Sequence, residues 1–211
     1  MRKVLLEACC TSLAQASESI RGGAGRIELC SRIEVGGVTP PAGLIADVVG
    51  LGVPVNVLVR PRGGDFVYGP DEVEQMLGSI EDCRRLGAAG VVVGALTPDG
   101  DIDLPLMRNL VQAARGNGGQ RRLSITFHRA FDECRDPLDA FGQIVGLGCD
   151  RLLTSGHEPT ALEGRSLISD LISRASGRII VMPGSGITRA NLAEVMAAIP
   201  ALEFHGTRIC R

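Results

Sequence analysis

The chain has 211 residues, of which 45% are hydrophobic and 22% charged, enough for one domain with a sizeable core. A net charge of −2 leaves no basic footprint for nucleic acid or a membrane surface, and 3% aromatics with no Trp leave no base-stacking platform. Seven cysteines, an odd number with no Cys-x-x-Cys pair, argue against a disulfide framework and for reduced thiols.

In chain order, the stretch Met1–Glu7 meets a carboxylate too early for the apolar region of a signal peptide, and no apolar run reaches the length of a membrane span. The expectation is a cytosolic protein. Val4–Cys10 reads as a first strand. Ser12–Arg21 has helical character and is stopped by Gly22-Gly23-Ala24-Gly25. Arg26–Cys30 is a second strand, Leu44–Val49 a short helix, and Pro54–Arg60 a third strand. Pro70–Leu86 is an amphipathic helix with Asp71 and Glu72 in its first turn, where the helix dipole favours them. Strand Gly90–Leu96 precedes helix Leu104–Arg115, and strand Leu123–Phe131 precedes helix Pro137–Leu147. Strand Asp150–Ser155 leads to helix Ala161–Ala175, strand Arg178–Met182 to helix Asn191–Ile199, and Leu202–His205 is an eighth strand.

Alternating strands and helices demand parallel strands with crossover helices. Eight such strands predict an α/β fold, a TIM-like (β/α)8 barrel lacking its final helix, as a single domain over 1–211. No Gly-x-Gly-x-x-Gly follows the first strand, which counts against a dinucleotide-binding sheet. Without an eighth helix, an apolar flank between strands 8 and 1 would stay bare, so a homo-oligomer is expected to cover it.

Barrel active groups sit at the C-terminal strand ends. Those ends offer Glu7 and Cys9, Glu28 and Cys30, Arg60 and Arg62, then His128, Arg129 and Asp132, then Thr154 and Ser155, Gly184-Ser185-Gly186, and His205. Leu6-Glu7-Ala8-Cys9 and Ile27-Glu28-Leu29-Cys30 repeat one pattern, with Glu and Cys on one strand face. In matched register the two thiols are neighbours, and so are the two carboxylates. Adjacent thiolates suit Cu(I); the alternative is that Cys9 and Cys30 are small buried hydrophobes. A carboxylate inside an apolar parallel strand needs a partner, and Arg60 and Arg62 are the candidates.

Gly184-Ser185-Gly186 precedes a helix and can cradle an anion through backbone N–H groups, with Thr154 and Ser155 adding hydroxyls. His128 is a candidate general acid or base, or a structural histidine bonded to a carboxylate. Arg129 alternates to the other face and can pair with Asp132. His157 reads as solvated, Cys10 as facing the helices, and Cys83, Cys134 and Cys149 as unlinked to any site. These residues leave two functional readings open. One is Cu(I) binding at Cys9 and Cys30. The other is a lyase- or isomerase-type enzyme for a small anionic or phosphorylated ligand, with Arg60, Arg62 and His205 at the anion, and Glu7, Glu28, His128, Arg60 and Asp132 as the catalytic candidates.

Leu6-Glu7-Ala8-Cys9, Arg26-Ile27-Glu28-Leu29-Cys30, Arg60-Pro61-Arg62-Gly63-Gly64-Asp65-Phe66, Thr126-Phe127-His128-Arg129-Ala130-Phe131-Asp132, Leu153-Thr154-Ser155-Gly156 and Met182-Pro183-Gly184-Ser185-Gly186-Ile187 resemble the CutC copper homeostasis family. The resemblance implies a cytoplasmic, oligomeric TIM-like barrel with a Cu(I) site at Cys9 and Cys30, and it brings no settled enzymatic activity. The chain departs from the family pattern at Val35, where an acidic residue is usual before Gly36-Gly37, and at Pro41, where Ser is usual. Relative to the family it is expected to be truncated after the eighth strand.

Overall fold

The computed structural model describes residues 4–211, so the first three residues of the Met1–Glu7 stretch lie outside the described part. The strands are β1 (Leu5–Cys10), β2 (Arg26–Leu29), β3 (Val55–Leu58), β4 (Gly90–Val93), β5 (Ser124–Phe127), β6 (Arg151–Thr154), β7 (Ile180–Pro183) and β8 (Glu203–Gly206). The helices are α1 (Leu13–Arg21), α2 (Ala42–Val49), α3 (Pro70–Arg85), α4 (Leu104–Arg115), α5 (Pro137–Leu147), α6 (Arg165–Ala175) and α7 (Leu192–Ala198). All ladders are parallel, in the order β7-β6-β5-β4-β3-β2-β1-β8. The two outer strands pack against each other, and a bridge between Thr188 and Arg208 joins the segments that follow them. Among the described residues, the result is a nearly closed TIM-like barrel of eight strands and seven helices. No helix among the described residues is long and apolar enough to cross a membrane.

Local chemistry sets the helix ends. Ser12 accepts from the Gln15 N–H at the start of α1. Pro70 occupies the first turn of α3, and the Glu72 carboxylate accepts from the Gly69 N–H. Asp103 and Asp136 cap α4 and α5 in the same way, and Gly148, with φ of 75°, ends α5 in the left-handed region.

Period-two alternation divides the strand residues between two environments. Ile27, Leu29, Val57, Val91, Ile125 and Leu152 face outward into the large core beneath the helices. Cys10 joins them, its thiol 3.5 Å from the Ser19 hydroxyl. Inside the barrel, Cys9, Cys30, Leu58 and Val92 form a separate small apolar cluster. At the bare flank expected beside β1, the chain itself supplies cover, because Ile209 and Cys210 are buried in the main core. Only glycine fits at residue 22, since a Cβ there would lie 1.8 Å from the Cys210 carbonyl oxygen.

The register of β1 and β2 differs from the matched one. Glu7 lies opposite Arg26, and Cys9 opposite Glu28. Closing a sheet into a barrel staggers neighbouring strands, and that stagger offsets the two Glu-x-Cys repeats by two residues.

Candidate functional site

The floor of the site is ionic. Glu7, fully buried, accepts from Arg26 Nε, from Asn56 Nδ2 at 3.2 Å, and shares a hydrogen bond of 2.9 Å with His205 Nδ1. Arg26 also donates to Glu203, whose carboxylate takes a second ion pair from Arg151 at 2.8 Å. Burial alone would raise the Glu7 pKa, but the His205 hydrogen bond and the Arg26 charge outweigh it and hold the carboxyl at about 2. The partners expected for the two glutamates were Arg60 and Arg62; the structure corrects that expectation. Arg60 donates instead to the carbonyls of Val35, Gly37 and Gly64, and its guanidinium lies 4.6 Å from the Phe66 ring centroid. Arg62 turns outward to Asp65 and Glu72, because the Gly63-Gly64 turn carries the chain away from the barrel mouth.

Above the floor, Cys9 Sγ and Cys30 Sγ are 3.6 Å apart, although their backbones are not paired. Donor atoms of Cys9, Glu28 and His205 all lie within 4.8 Å of one another. Contact with Cys30, burial and the Glu28 charge push the Cys9 thiol pKa well above its usual value. Burial lifts Glu28 to about 7, against the pull of a charged His205. For His205, burial disfavours the charged ring, but Glu28 and the bond to Glu7 prevail and raise its pKa. With Nδ1 engaged by Glu7, Nε2 is the His205 nitrogen left for other chemistry.

β5 ends at Phe127, earlier than expected. The His128 Nδ1 accepts from the Ala130 N–H at 3.1 Å and opens a 3₁₀ turn over Arg129–Glu133. That bond fixes the neutral tautomer, so Nε2 carries the hydrogen. Burial, with the Arg60 charge, lowers the His128 pKa to about 3, and its ring packs 4.9 Å from that of Phe66. Asp132 is a structural hub. It accepts from the hydroxyls of Thr154 and Ser155, from the Ser155 N–H, and from Arg129 Nε at 2.7 Å. The hydroxyls expected to face an anion are therefore engaged beneath the surface. Two further expectations change here. Arg129 reaches the cavity wall as well as Asp132, and His157 is held rather than solvated, 3.6 Å from the Cys134 thiol and edge-on to Phe131.

A cavity of about 360 Å³ opens at the C-terminal mouth of the barrel. Its wall brings together Cys9, Glu28, Arg60, His128, Ser185, Gly186 and His205 from the residues read in the sequence. Glu7, Cys30, Arg62, Asp132, Thr154, Ser155 and Gly184 lie outside that wall. Gly184 supports it, since a Cβ there would meet the Leu153 side chain at 2.6 Å and His205 at 3.3 Å. Ser185 sits in the left-handed region, with φ of 79°, and donates its hydroxyl to the Pro159 carbonyl. The residues that sequence reasoning missed are Arg26, Asn56, Arg151 and Glu203 in the floor and Arg208 in the wall. Arg26 and Glu203 each precede a recognised inward residue, Glu28 and His205, by two positions, which was the signal available. Nothing local marks Arg208.

The CutC family model matches residues 4–210 of the chain. A CutC family protein of Parabacteroides distasonis is 49% identical over 205 residues, covering 96% of this chain and 82% of the relative. The mouse copper homeostasis protein cutC homolog is 48% identical over 202 residues, covering 95% of this chain and 72% of its own length. The crystal structure of a Streptococcus agalactiae CutC superposes with a TM-score of 0.90 at 32% identity, covering 98% of this chain and 99% of that one. A family match along nearly the whole chain and relatives of this closeness lead to one conclusion: the chain belongs to the CutC family.

Proposed function

We propose that this chain handles copper as Cu(I) in the reducing cytosol, taking the ion between the thiolates of Cys9 and Cys30. The observation that carries the reading is the 3.6 Å separation of the two sulfurs. Two metal–sulfur bonds of about 2.3 Å span up to about 4.6 Å, so one ion reaches both without strand movement. Soft thiolates select Cu(I) over the harder divalent ions. His205 and Glu28 stand beside Cys9 as further donors, and Glu7 orients the His205 ring from behind. All seven cysteines are unpaired, which suits a reducing compartment.

Binding must displace thiol protons, and the raised pKa of Cys9 makes that harder as pH falls. The test is a Cu(I) titration against a competing chelator with thiols kept reduced. Wild type takes one equivalent, and the Cys9→Ser/Cys30→Ser double variant takes none. Equal binding by the two proteins rejects the reading.

A further inference from the structure

Buried polar atoms without partners are uncommon in folded proteins, and each one calls for an explanation, of which a bound ligand is one. Three residues of the cavity wall have one each: Glu28 Oε2, Arg60 Nε and His128 Nε2. All three residues are more than nine-tenths buried, with exposures of 6%, 6% and 5%. Their chemistry differs in sign. The His128 Nε2 carries a hydrogen, because Nδ1 already accepts from Ala130, and Arg60 Nε is always a donor. Glu28 Oε2 is an acceptor when its carboxyl is ionised. The residues that carry these two donors and one acceptor line one space of about 360 Å³, which is the size of a small organic molecule and far larger than a bare ion.

Charge narrows the class. Arg60, Arg129 and Arg208 line the same cavity, against the single carboxylate of Glu28. An oxyanion is therefore favoured at the arginine side. The group that donates to Glu28 is a neutral hydroxyl rather than an ammonium, which three guanidinium groups would repel.

We infer that the cavity binds a small organic oxyanion bearing a hydroxyl group, its acid group received by Arg60, His128, Arg129 and Arg208 and its hydroxyl donated to Glu28. This goes beyond the copper reading and does not depend on it, since neither thiol is needed for the anion. Carboxylate and phosphate share the required chemistry, and the experiment separates them.

The experiment is calorimetric titration with hydroxycarboxylates and phosphorylated polyols of about three to six carbons, a length set by the size of ordinary ligand pockets. Each compound is paired with its deoxy analogue, and a metal chelator and reductant are present throughout. At least one hydroxylated compound binds, and its deoxy analogue binds about tenfold or more weakly, because Glu28 is then left unpaired. Arg129→Gln and Arg208→Gln, both outside the core, each weaken binding. Glu28→Leu erases the preference for the hydroxyl. The Cys9→Ala/Cys30→Ala variant binds the anion as wild type does, whatever becomes of copper. Failure of every compound to bind wild type, or equal binding of each pair, overturns the inference.

Discussion

Replacing Arg26 with methionine removes one positive charge from the centre of the barrel floor while keeping most of the side chain's length. Arg26 is 4% exposed and bridges two carboxylates, Glu7 and Glu203. Glu203 retains Arg151, and Glu7 retains His205 and Asn56, so the variant leaves about one uncompensated charge rather than two. Breaking a buried pair from one side costs about 3–5 kcal/mol. Linkage gives an independent figure for Glu7. Its pKa is lowered in the folded state from 4.5 to about 2, so it adds stability that is present above the unfolded value and lost as pH falls through the folded one. The displacement is worth about 3 kcal/mol at neutral pH, a net figure for the whole network in which the His205 hydrogen bond is the largest lowering contribution and the Arg26 charge the next. The assay is urea unfolding of wild type and Arg26→Met at pH 7 and pH 5. A loss of about 3 kcal/mol at pH 7, smaller at pH 5 where the stranded Glu7 is more easily protonated, is expected. The double variant Arg26→Met/Glu7→Gln recovers part of the loss. A cost below about 1 kcal/mol at pH 7, as for a surface pair, refutes the argument that this network anchors the barrel interior.

Three further outcomes follow from the geometry. Burial and the Arg60 charge lower the His128 pKa from 6.5 to about 3, so the folded state resists protonation and stability is lost as pH falls below 6.5. Between pH 7 and pH 5 this penalty is about 2 kcal/mol, and His128→Phe lacks it; subtracting the two proteins' unfolding free energies at each pH isolates the difference. Gly94→Ala places a Cβ 2.6 Å from the His128 ring, and overpacking of this kind costs about 1–3 kcal/mol. A melting temperature equal to that of wild type would contradict the close packing at that point. Arg62→Gln changes stability by less than about 1 kcal/mol in urea unfolding and leaves the proposed Cu(I) binding unaffected, because its partners Asp65 and Glu72 lie outside the cavity.

The barrel was legible because parallel strands covered on both faces read as short apolar runs, and the helices between them carry strong end signals such as Pro70 with Asp71 and Glu72. The site's location was legible for the same reason, since strand ends gather at one mouth. Partner choice was not. Arg60 and Arg26 look equivalent in the sequence, yet only Arg26 reaches Glu7, because the stagger set by barrel closure brings residues 7 and 26 opposite each other. Closure depends on all eight strands together and leaves no local mark. The short reach of β5 was hidden too. His128 caps a 3₁₀ turn through its own ring nitrogen, a side-chain decision that β-propensity does not register. The thiol pair was anticipated on a register that turned out wrong, and the sulfurs still meet at 3.6 Å through side-chain direction.

The ionic floor also constrains how such a sequence can change over generations. An aliphatic barrel interior drifts by single steps, because a methylene gained or lost costs little enough to be tolerated. Here Glu7, Arg26, Glu203, Arg151 and His205 come from four different strands and are tied in series, so changing any one weakens the pairing of its neighbours. Escape from this arrangement costs less when two substitutions come together. Distant relatives that lose Arg26 are therefore expected to have lost the acidic residues at positions 7 or 203 in the same lineage.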